Sequence, residues 1–471
     1  MTTRIDLSGT PMRIHVIGVG GAGMSAIAIV LAGMGHHVTG SDRRDSPAID
    51  RLAGMGIGVG VGSDVRRVAG VEVVTRSTAV PDSDEELAAA RALGVTTLTR
   101  SEVLSAISAT RRTLAVAGTH GKTTTSSMLA LVLLGAAFDP SFIIGGEVTQ
   151  LRTGARWSDG DWFVVEADES DGTFLDLARV GAIVTNVEPD HLEHYGGFDG
   201  LRDAFDRFVV ETPGPVVVCI DDPLSAELVT RVRARCERLV TYGTSAGADY
   251  RMKEISQDGF GVSWVVQSAI SGRLELTLGV PGLHNARNAT AAAVLALEVG
   301  ADPAAIREAV AGYRGVGRRF EFRGEAAGVT FVDDYAHLPT EVAAAIAAAI
   351  SGRWGRVIGV FQPHRYSRTE ALWSSFGDAF TGVDELVVCE IFSSGESVRP
   401  GVTGHLIVDA VRAADPGTPV VWCEGREELR AHLGAELRAG DLCLTLGAGD
   451  LTTLPDEMIE LLGPGGGTGR D

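Results

Sequence analysis

Lysine is nearly absent from this chain of 471 residues. Its 41 basic residues include only two lysines, Lys122 and Lys253, and all the others are arginines. Acidic residues number 61, so the formal net charge is −20 at neutral pH. A charge of this sign disfavours nucleic acid as a partner, although local arginines and glycine turns can still bind small anions. We therefore expect small anionic ligands and no nucleic acid.

Paired cysteines and long apolar runs are also missing. The five cysteines show no C-x-x-C spacing, which argues against a zinc site and fits a reducing compartment. No apolar stretch approaches the roughly 20 residues that a membrane span needs. The beginning of the chain, with Arg4 and Asp6, does not resemble a signal peptide. These features predict a cytoplasmic protein without membrane insertion.

Strand and helix patterns alternate along most of the sequence. The length predicts about three domains at roughly 150 residues each, and the alternation predicts α/β domains with mainly parallel sheets. The pair Arg111 and Arg112 and a glycine-rich connector at 312–317 separate three blocks. The predicted domains are residues 1–110, 111–317 and 318–462, with a flexible tail at 463–471.

A glycine-rich turn follows the first predicted strand. It reads G-V-G-G-A-G at 18–23 and matches G-x-G-x-x-G, with Asp42 at the separation expected of a ribose-binding acid. Taken alone, the turn predicts a nicotinamide-dependent dehydrogenase. The same turn serves any nucleotide diphosphate at a helix N-terminus, and a purely structural glycine turn is a third interpretation.

A second glycine turn carries one of the two lysines. Residues 117–125 read A-G-T-H-G-K-T-T-T, between a buried-strand pattern and a predicted helix at 123–134. The usual phosphate loop is G-x-x-x-x-G-K-[ST], so G-x-x-G-K-T is a shortened variant. In such a loop Lys122 neutralises the β- and γ-phosphates of a nucleotide, and Thr123 offers its hydroxyl to Mg²⁺. The alternative is a plain β–α turn with a chance lysine.

Two acidic segments follow the next predicted strands. They read E-A-D-E-S-D at 166–171 and N-V-E-P-D-H at 186–191. Ligands of α/β proteins bind at the carboxyl ends of strands, and carboxylate oxygens suit Mg²⁺. This pattern predicts a magnesium site, with His191 as a less usual additional ligand. The alternative is a solvated acidic loop in which Asp190 caps a helix.

The segment H-N-A-R-N at 284–288 precedes an alanine-rich helix that we predict from about Ala289. Asparagines at this place can cap the helix. Their amides can also hydrogen-bond an adenine edge or a phosphate. Both interpretations stay open at this point.

The third block carries two polar segments after strands. D-D-Y-A-H at 333–337 is followed by Pro339, which opens a predicted helix, and Q-P-H-R-Y-S-R at 362–368 follows the next strand. Arg365 and Arg368 are three residues apart and can meet on one face of a helical turn to grip a carboxylate. A surface arginine pair is more often simply solvated.

Taken together, these segments resemble those of the ATP-dependent Mur ligases over essentially the whole chain, to about Leu461. The matching segments read, in order, G-V-G-G-A-G-M-S, A-G-T-H-G-K-T-T-T, E-A-D-E-S-D, N-V-E-P-D-H, H-N-A-R-N-A, G-R-R-F-E, D-D-Y-A-H-L-P-T-E, Q-P-H-R-Y-S-R and G-A-G-D. The resemblance implies an N-terminal Rossmann-like domain that binds the UDP substrate and a central P-loop ATPase domain with a mainly parallel sheet. It also implies a C-terminal Rossmann-like domain that binds the amino acid and closes on ATP.

The resemblance also implies roles for individual residues. It assigns ATP binding to Gly118, Thr119, His120, Gly121, Lys122, Thr123, Thr124, Asn285, Asn288, Arg319 and Asp334. It assigns metal binding to Thr123, Glu166 and His191, and catalysis to Lys122, Glu166, His191, Arg319 and Asp334. It assigns the UDP substrate to Gly18, Gly20, Gly21, Gly23, Asp42, Ser77, Glu169 and Ser170, and the amino acid to Tyr335, His337, His364, Arg365 and Arg368.

The implied activity is ATP- and Mg²⁺-dependent joining of L-alanine to the lactyl carboxylate of UDP-N-acetylmuramate through an acyl phosphate. Relatives that add later residues use a carbamylated lysine, and this chain has no lysine between Lys122 and Lys253. That absence favours the alanine-adding branch of the family. We expect a monomer or a weak homodimer.

Two departures and two alternatives accompany this interpretation. Leu338 stands where many relatives carry a second histidine, and E-I-F-S-S-G-E at 390–396 departs from the usual V-Y-x-A-G-E. The closer alternative is a recycling ligase that attaches a murein tripeptide to the same nucleotide sugar. The residues at 170–172, however, resemble the pattern of the alanine-adding branch. The distant alternative is an NAD-dependent dehydrogenase.

Overall fold

Apolar runs in the sequence become strands that are covered on both faces. The computed structural model describes residues 5–258 and 261–463, so the predicted tail, apart from its first residue, lies outside the described residues. Parallel strands buried on both faces read as continuous apolar runs. Val216–Cys219 and Leu442–Leu446 are examples, since every residue in both is buried.

The first α/β block is a Rossmann-like sheet with helices. Its elements are β1 (Arg13–Ile17), α1 (Ala22–Gly33), β2 (His37–Asp42), α2 (Pro47–Gly54), β3 (Gly58–Val61), β4 (Val73–Arg76), α3 (Glu85–Ala92), β5 (Thr96–Thr99) and α4 (Arg100–Ser108). The five strands are parallel and lie in the order β3-β2-β1-β4-β5. The glycine turn therefore lies at the carboxyl end of the central strand, where this fold binds ligands.

The second block is built on a ten-stranded sheet. Its elements are β6 (Arg112–Ala117), α5 (Lys122–Gly135), β7 (Ser141–Val148), β8 (Thr153–Arg156), β9 (Trp162–Glu166), β10 (Arg179–Val184), α6 (Leu192–Tyr195), α7 (Phe198–Val210), β11 (Val216–Cys219), α8 (Pro223–Val232), β12 (Leu239–Gly243), β13 (Tyr250–Asp258), β14 (Gly261–Ser268), β15 (Gly272–Leu278), α9 (Leu283–Glu298) and α10 (Pro303–Ala311). The strand order is β15-β14-β13-β12-β11-β10-β6-β9-β7-β8. Strand β6 pairs in parallel with β9 on one side and β10 on the other. The carboxyl ends of these three strands, which carry the phosphate loop and both acidic segments, therefore share one edge.

The third block is a six-stranded sheet. Its elements are β16 (Glu321–Ala326), β17 (Val329–Asp334), α11 (Pro339–Ile350), β18 (Val357–Phe361), α12 (Tyr366–Leu372), β19 (Glu385–Cys389), α13 (His405–Ala414), β20 (Val420–Cys423), α14 (Arg426–Glu436), β21 (Leu442–Leu446) and α15 (Leu454–Leu462). The order is β16-β17-β21-β18-β19-β20, and only β16 is antiparallel to its neighbour. Separate apolar cores cover the two faces of this sheet.

Short 3-10 helical segments lie between the longer elements. They are Val65–Val68, Thr173–Leu175, Arg233–Arg235, Trp373–Phe376 and Asp450–Thr453. Within the described ranges, no helix is both long and apolar enough to cross a membrane.

The described residues form two compact units. One contains the chain up to Glu254 together with Trp264–Leu276 and Arg287–Tyr313, and the other contains Thr277–Ala286, the described part of Ile255–Ser263 and the chain from Arg314. The predicted α/β class with mainly parallel sheets is confirmed. The predicted domain boundaries at residues 110, 317 and 462 stay predictions.

One local prediction was wrong, and one strand was not predicted. The helix expected from about Ala289 begins at Leu283, so residues 284–288 lie inside it and do not cap it. The antiparallel strand β16 was not anticipated, because its segment E-F-R-G-E-A has little of the alternation that marks a strand.

Candidate active site

The phosphate loop joins β6 to α5 through two glycines with positive φ. Gly118 has φ +130°, and a Cβ placed there would lie 2.1 Å from Thr185 Oγ1. Gly121 has φ +79°, and a Cβ there would lie 2.6 Å from Asn288 Oδ1. Only glycine accepts both the backbone angles and the close neighbours. Lys122 is therefore placed at the N-terminus of the fourteen-residue helix α5, where backbone N–H groups and the helix dipole favour phosphate.

Residues after the neighbouring strand β10 brace this loop. The Asn186 side chain accepts a hydrogen bond from the His120 amide at 2.8 Å and donates one to the His120 carbonyl at 3.1 Å. Thr185 Oγ1 donates to the same carbonyl at 2.5 Å. These two residues were not among the predicted site residues. Their position directly after a strand parallel to β6 was the available signal.

Lys122 is paired with a buried carboxylate. Its Nζ lies 2.8 Å from Glu169 Oε2 and donates to the carbonyls of Gly118 at 2.8 Å and Thr119 at 3.2 Å. Burial opposes the charge on Lys122, but the neighbouring carboxylates, Glu169 foremost, outweigh it and raise its pKa. The lysine is thus held charged over the loop. Glu169 was assigned to the UDP substrate, and that assignment stays a prediction.

A threonine and a glutamate form an oxygen-rich pair beside the lysine. Thr123 Oγ1 donates to Glu166 Oε1 at 3.1 Å, and the Gly145 amide donates to Glu166 Oε2 at 2.7 Å. A Cβ at Gly145 would lie 2.7 Å from that carboxylate, so this glycine also shapes the site, and nothing in the sequence pointed to it. The Thr123 hydroxyl oxygen and the Glu166 carboxylate oxygens are ligands that suit a hard cation such as Mg²⁺.

His191 was the third predicted metal ligand. It lies at φ +52° before α6, and its Nε2 is 3.4 Å from Asp190 Oδ2. Within the described residues, no group of three or more histidine, cysteine, aspartate or glutamate side chains could hold a metal ion. The role of His191 stays a prediction.

The two predicted asparagines of α9 differ in their surroundings. Asn288 packs directly on the phosphate loop, because its Oδ1 occupies the space beside Gly121. Asn285 donates from Nδ2 to the carbonyl of Pro281 at 2.7 Å. Of these two asparagines, Asn288 is the one that contacts the phosphate loop among the described residues.

The other predicted loop residues also have partners. Thr119 Oγ1 accepts from the Glu188 amide at 2.8 Å, and His120 Nε2 lies 3.2 Å from a Glu188 carboxylate oxygen. Thr124 is buried within the first turn of α5. The segment from 118 to 124 is thus anchored on both sides.

A cleft of about 330 Å³ opens at the glycine turn of the first sheet. Four of the residues predicted to bind the UDP substrate line it, together with two arginines; these residues are Gly18, Gly21, Asp42, Ser77, Arg43 and Arg44. Asp42 Oδ2 accepts from the Gly20 amide at 2.9 Å, so the acid and the glycine turn are fixed to one another. Gly23 lies outside the lining of the cleft, and a Cβ placed there would lie 3.1 Å from Arg100 Nε. Arg100 Nη1 lies 3.5 Å from Asp171 Oδ2. Ser170 donates its amide to Asp168 at 3.0 Å.

A buried ionic cluster supports the floor of this cleft. Glu86, which is 1% exposed, accepts hydrogen bonds from the Ser41 hydroxyl and from the Asp64 amide, the latter at 2.8 Å. His15 Nε2 lies 3.3 Å from the same carboxylate, and Arg67 Nη1 lies 3.4 Å from it. Burial raises the pKa of Glu86, but the hydrogen bonds from His15 and Ser41 outweigh it and lower the pKa to about 2.

We expect Glu86→Ala to lower the free energy of unfolding by about 3 kcal/mol, because it leaves several buried donors without an acceptor. The folded pKa lies below the unfolded value of 4.5, so this stabilisation is present above pH 4.5 and is lost as the pH falls towards 2. Thermal unfolding at neutral pH and in mild acid measures both effects. Glu72→Ala is the matched control, since Glu72 is a half-exposed partner of Arg13 at the same sheet. Equal melting temperatures for the two variants would contradict the prediction.

The second compact unit places Asp334 at the end of β17 and Arg319 just before β16. Asp334 accepts from the amides of Phe320 at 2.8 Å and Ala336 at 2.7 Å. Burial raises the pKa of Asp334 to about 6, while the charge of Arg319 opposes the rise. The guanidinium of Arg319 lies 5.0 Å from the ring centre of Tyr335. The charge of Arg319 therefore acts on the carboxyl group of Asp334, and both are predicted catalytic residues.

The five residues predicted to hold the amino acid lie in the segments that follow β17 and β18. Tyr335 and His337 make an edge contact with ring centres 5.3 Å apart, and His337 and His364 make another at 5.7 Å. Phe392, from the divergent segment at 390–396, stacks on His364 at 5.9 Å. This segment is fixed to the site, since the Arg365 amide donates to the Phe392 carbonyl at 2.9 Å.

The expected geometry of the arginine pair was wrong. Arg365 precedes α12 at φ +68°, so the two arginines do not share a helical turn. Arg368 Nη1 lies 3.0 Å from His364 Nδ1. Arg365 Nε is buried and, among the described residues, has no hydrogen-bond partner. An unsatisfied guanidinium donor fits a ligand carboxylate.

Models of three protein families match the chain. The Mur ligase family catalytic domain matches residues 13–112, the Mur ligase middle domain matches 116–296, and the Mur ligase glutamate ligase domain matches 318–449. Together they extend over most of the sequence, and each coincides with one of the three sheets.

Curated relatives match over nearly their whole length. The UDP-N-acetylmuramate–L-alanine ligase of Kineococcus radiotolerans is 48% identical over 457 residues, which cover 96% of each chain. The enzyme of the same name from Geobacter is 41% identical over 95% of this chain and 97% of its own. The crystal structure of the UDP-N-acetylmuramate-alanine ligase from Thermotoga maritima gives a TM-score of 0.80 at 29% identity, covering 95% of this chain and 98% of that one. This chain belongs to the Mur ligase family.

Proposed function

We propose that this protein is an ATP-dependent ligase that joins L-alanine to the lactyl carboxylate of UDP-N-acetylmuramate, in the synthesis of peptidoglycan precursors. The observation that carries the proposal is the 48% identity, over 96% of both chains, to a ligase of that name. The charged Lys122 on its braced glycine loop supplies the phosphate-binding chemistry that such a reaction needs.

The residues present fit both ATP and Mg²⁺. Gly118 and Gly121 leave the loop without side chains where a phosphate approaches, and Lys122 would hold the transferred phosphoryl group. Thr123 and Glu166 would hold Mg²⁺, with His191 as a further proposed ligand. When bound, Mg²⁺ supplies positive charge that stabilises the phosphoryl group during transfer.

The chain's own residues carry out positioning and charge neutralisation. In the proposed reaction the lactyl carboxylate attacks the γ-phosphorus of ATP, giving an acyl phosphate and ADP. The amine of alanine then attacks the acyl carbon, and phosphate leaves as the amide forms. Phosphoryl transfer of this kind depends mainly on orientation and electrostatic stabilisation, so we assign the first step to Lys122 and Glu166. Arg319 and Asp334 are proposed contributors from the second unit.

We propose that the UDP group and the amino acid bind at the residues predicted for them from the sequence. The cleft lined by Gly18, Asp42 and Ser77 is proposed to bind the UDP group, with Arg43 and Arg44 supplying charge for its phosphates. The unpartnered Nε of Arg365 is proposed to bind the alanine carboxylate. The cytoplasmic location and the monomeric or weakly dimeric state stay predictions.

Phosphate release from ATP tests the proposal. The purified protein is mixed with UDP-N-acetylmuramate, ATP and Mg²⁺ and then with L-alanine, glycine, L-serine or the murein tripeptide. We expect release that depends on both the nucleotide sugar and L-alanine. Release with the tripeptide alone would favour the recycling ligase. No release with any amine, together with tight NAD binding, would favour a dehydrogenase.

A further inference from the structure

Two histidines at the carboxyl end of the C-terminal sheet are held in opposite tautomers. His337 follows β17 and His364 follows β18, and their ring centres are 5.7 Å apart with the planes at 71°. The His337 side chain is 13% exposed. What each ring nitrogen faces decides which of the two rings can accept a proton.

The surroundings of His337 fix its proton on Nδ1. This nitrogen lies 3.0 Å from the carbonyl oxygen of Tyr335 and 3.2 Å from the Glu341 carboxylate. Both neighbours can only accept a hydrogen bond, so a neutral ring must carry its proton on Nδ1 and a lone pair on Nε2. Within the described residues Nε2 makes no hydrogen bond, which leaves that lone pair available.

The surroundings of His364 fix the reverse arrangement. Its Nδ1 lies 3.0 Å from Arg368 Nη1. A guanidinium can only donate, so Nδ1 accepts and Nε2 carries the proton. Burial is the main cause that lowers the pKa of His364 to about 3, and the nearby charge of Arg368 acts in the same direction. His364 is therefore a hydrogen-bond donor at physiological pH and not a base.

The carboxylates nearby already accept hydrogen bonds. Asp334 accepts a backbone amide on each of its two oxygens. Glu341 accepts from the amides of His337 at 3.1 Å and Leu338 at 3.3 Å, besides its contact with the His337 ring. His337 Nε2, by contrast, accepts no hydrogen bond from the described residues.

We propose that His337, through Nε2, is the base that takes a proton from the ammonium group of the amino acid before it attacks the acyl phosphate. This inference rests on the proposed function. Alanine enters as a zwitterion whose ammonium group carries three protons, and the first of these passes to Nε2. The neutral amine attacks the acyl carbon, its second proton leaves with the phosphate as HPO₄²⁻, and the third stays on the amide nitrogen.

The charges around His337 support a neutral ring. Glu341 on α11 favours its protonation, while Arg368 on α12, Arg319 before β16 and burial all oppose it. Burial is the largest of these influences and lowers the pKa of His337 below its ordinary value of 6.5. The base form is therefore present above that lowered pKa, which includes neutral pH.

The decisive variant is His337→Asn, which keeps a donor near the Nδ1 position but has no base. We expect kcat with L-alanine to fall about 100-fold or more, with a small change in the KM for alanine. The remaining activity should rise about tenfold per pH unit, because the variant depends on alanine that is already deprotonated. His432→Asn, on α14 in a pair with Glu385, is the control and should retain full activity.

An assay with hydroxylamine distinguishes a catalytic base from a residue that only supports the structure. This nucleophile is largely unprotonated at neutral pH, so it captures the acyl phosphate without a base. We expect the unaltered protein and His337→Asn to release phosphate with hydroxylamine at the same rate. Unaltered alanine turnover in the variant, or an equal loss with both nucleophiles, would overturn the inference. No release by the unaltered protein with either nucleophile would instead count against the proposed function.

Discussion

Lys122→Ala should lose at least about 1000-fold in kcat, because the loop contains no other lysine or arginine to neutralise the transferred phosphoryl group. Its ammonium is anchored over the loop by Glu169 at 2.8 Å and by the Gly118 carbonyl. Phosphate release with UDP-N-acetylmuramate, ATP and L-alanine measures the loss. Activity within tenfold of the unaltered protein would show that the loop does not bind the reacting phosphate.

The same substitution should also destabilise the protein, which the sequence did not suggest. Glu169 is 2% exposed, and removing its partner leaves a buried carboxylate uncompensated at a cost of about 3 kcal/mol. The double variant Lys122→Ala with Glu169→Gln therefore serves as the control. We expect it to recover most of the melting temperature and none of the activity. Recovery of both would assign Lys122 a structural role alone.

The phosphate loop was predictable because its determinants are local. A strand, two glycines, a lysine and a threonine within nine residues already specify a turn with positive φ and a helix N-terminus. The structure places Gly118 and Gly121 at φ +130° and +79°, as the turn requires. The Rossmann-like strand order was likewise implied by a glycine turn directly after the first strand.

Contacts between distant segments were not predictable from one sequence. His15, Ser41, Asp64 and Glu86 come from four separate elements, and each reads as an ordinary polar residue in its own segment. The start of α9 was misplaced for a related reason. Asparagine prefers helix caps, yet the packing of Asn288 beside Gly121 places it inside the helix. Tertiary contacts decided both cases.

The tautomers of His337 and His364 show the same limit in the candidate site. The resemblance placed both residues near the amino acid, and sequence alone treats them as equivalent histidines. Their roles diverge only because one Nδ1 faces a carbonyl and a carboxylate while the other faces a guanidinium. Arg365 is a further example, since a non-glycine residue at φ +68° is not suggested by any local pattern.

The second large effect is expected from Glu166, the carboxylate proposed to bind Mg²⁺. Glu166→Gln keeps the size and can still accept from the Gly145 amide, while its new NH₂ group can donate to the Thr123 hydroxyl. The fold should therefore tolerate the change. Without the negative charge, however, the cation is held less tightly, and we expect a 100- to 1000-fold fall in kcat, about that for losing one electrostatic group at a reacting centre.

A magnesium titration of phosphate release distinguishes this role from a general loss of activity. Glu166→Gln should need a higher Mg²⁺ concentration for half-maximal rate, and chelation of the metal should abolish turnover in both proteins. The matched control is Glu147→Gln, since Glu147 lies on the same strand β7 as Gly145 but is half exposed and paired with Arg51. We expect this control to behave like the unaltered protein. An unchanged magnesium requirement in Glu166→Gln would remove Glu166 from the metal site and leave it as a support for Thr123 at the start of α5.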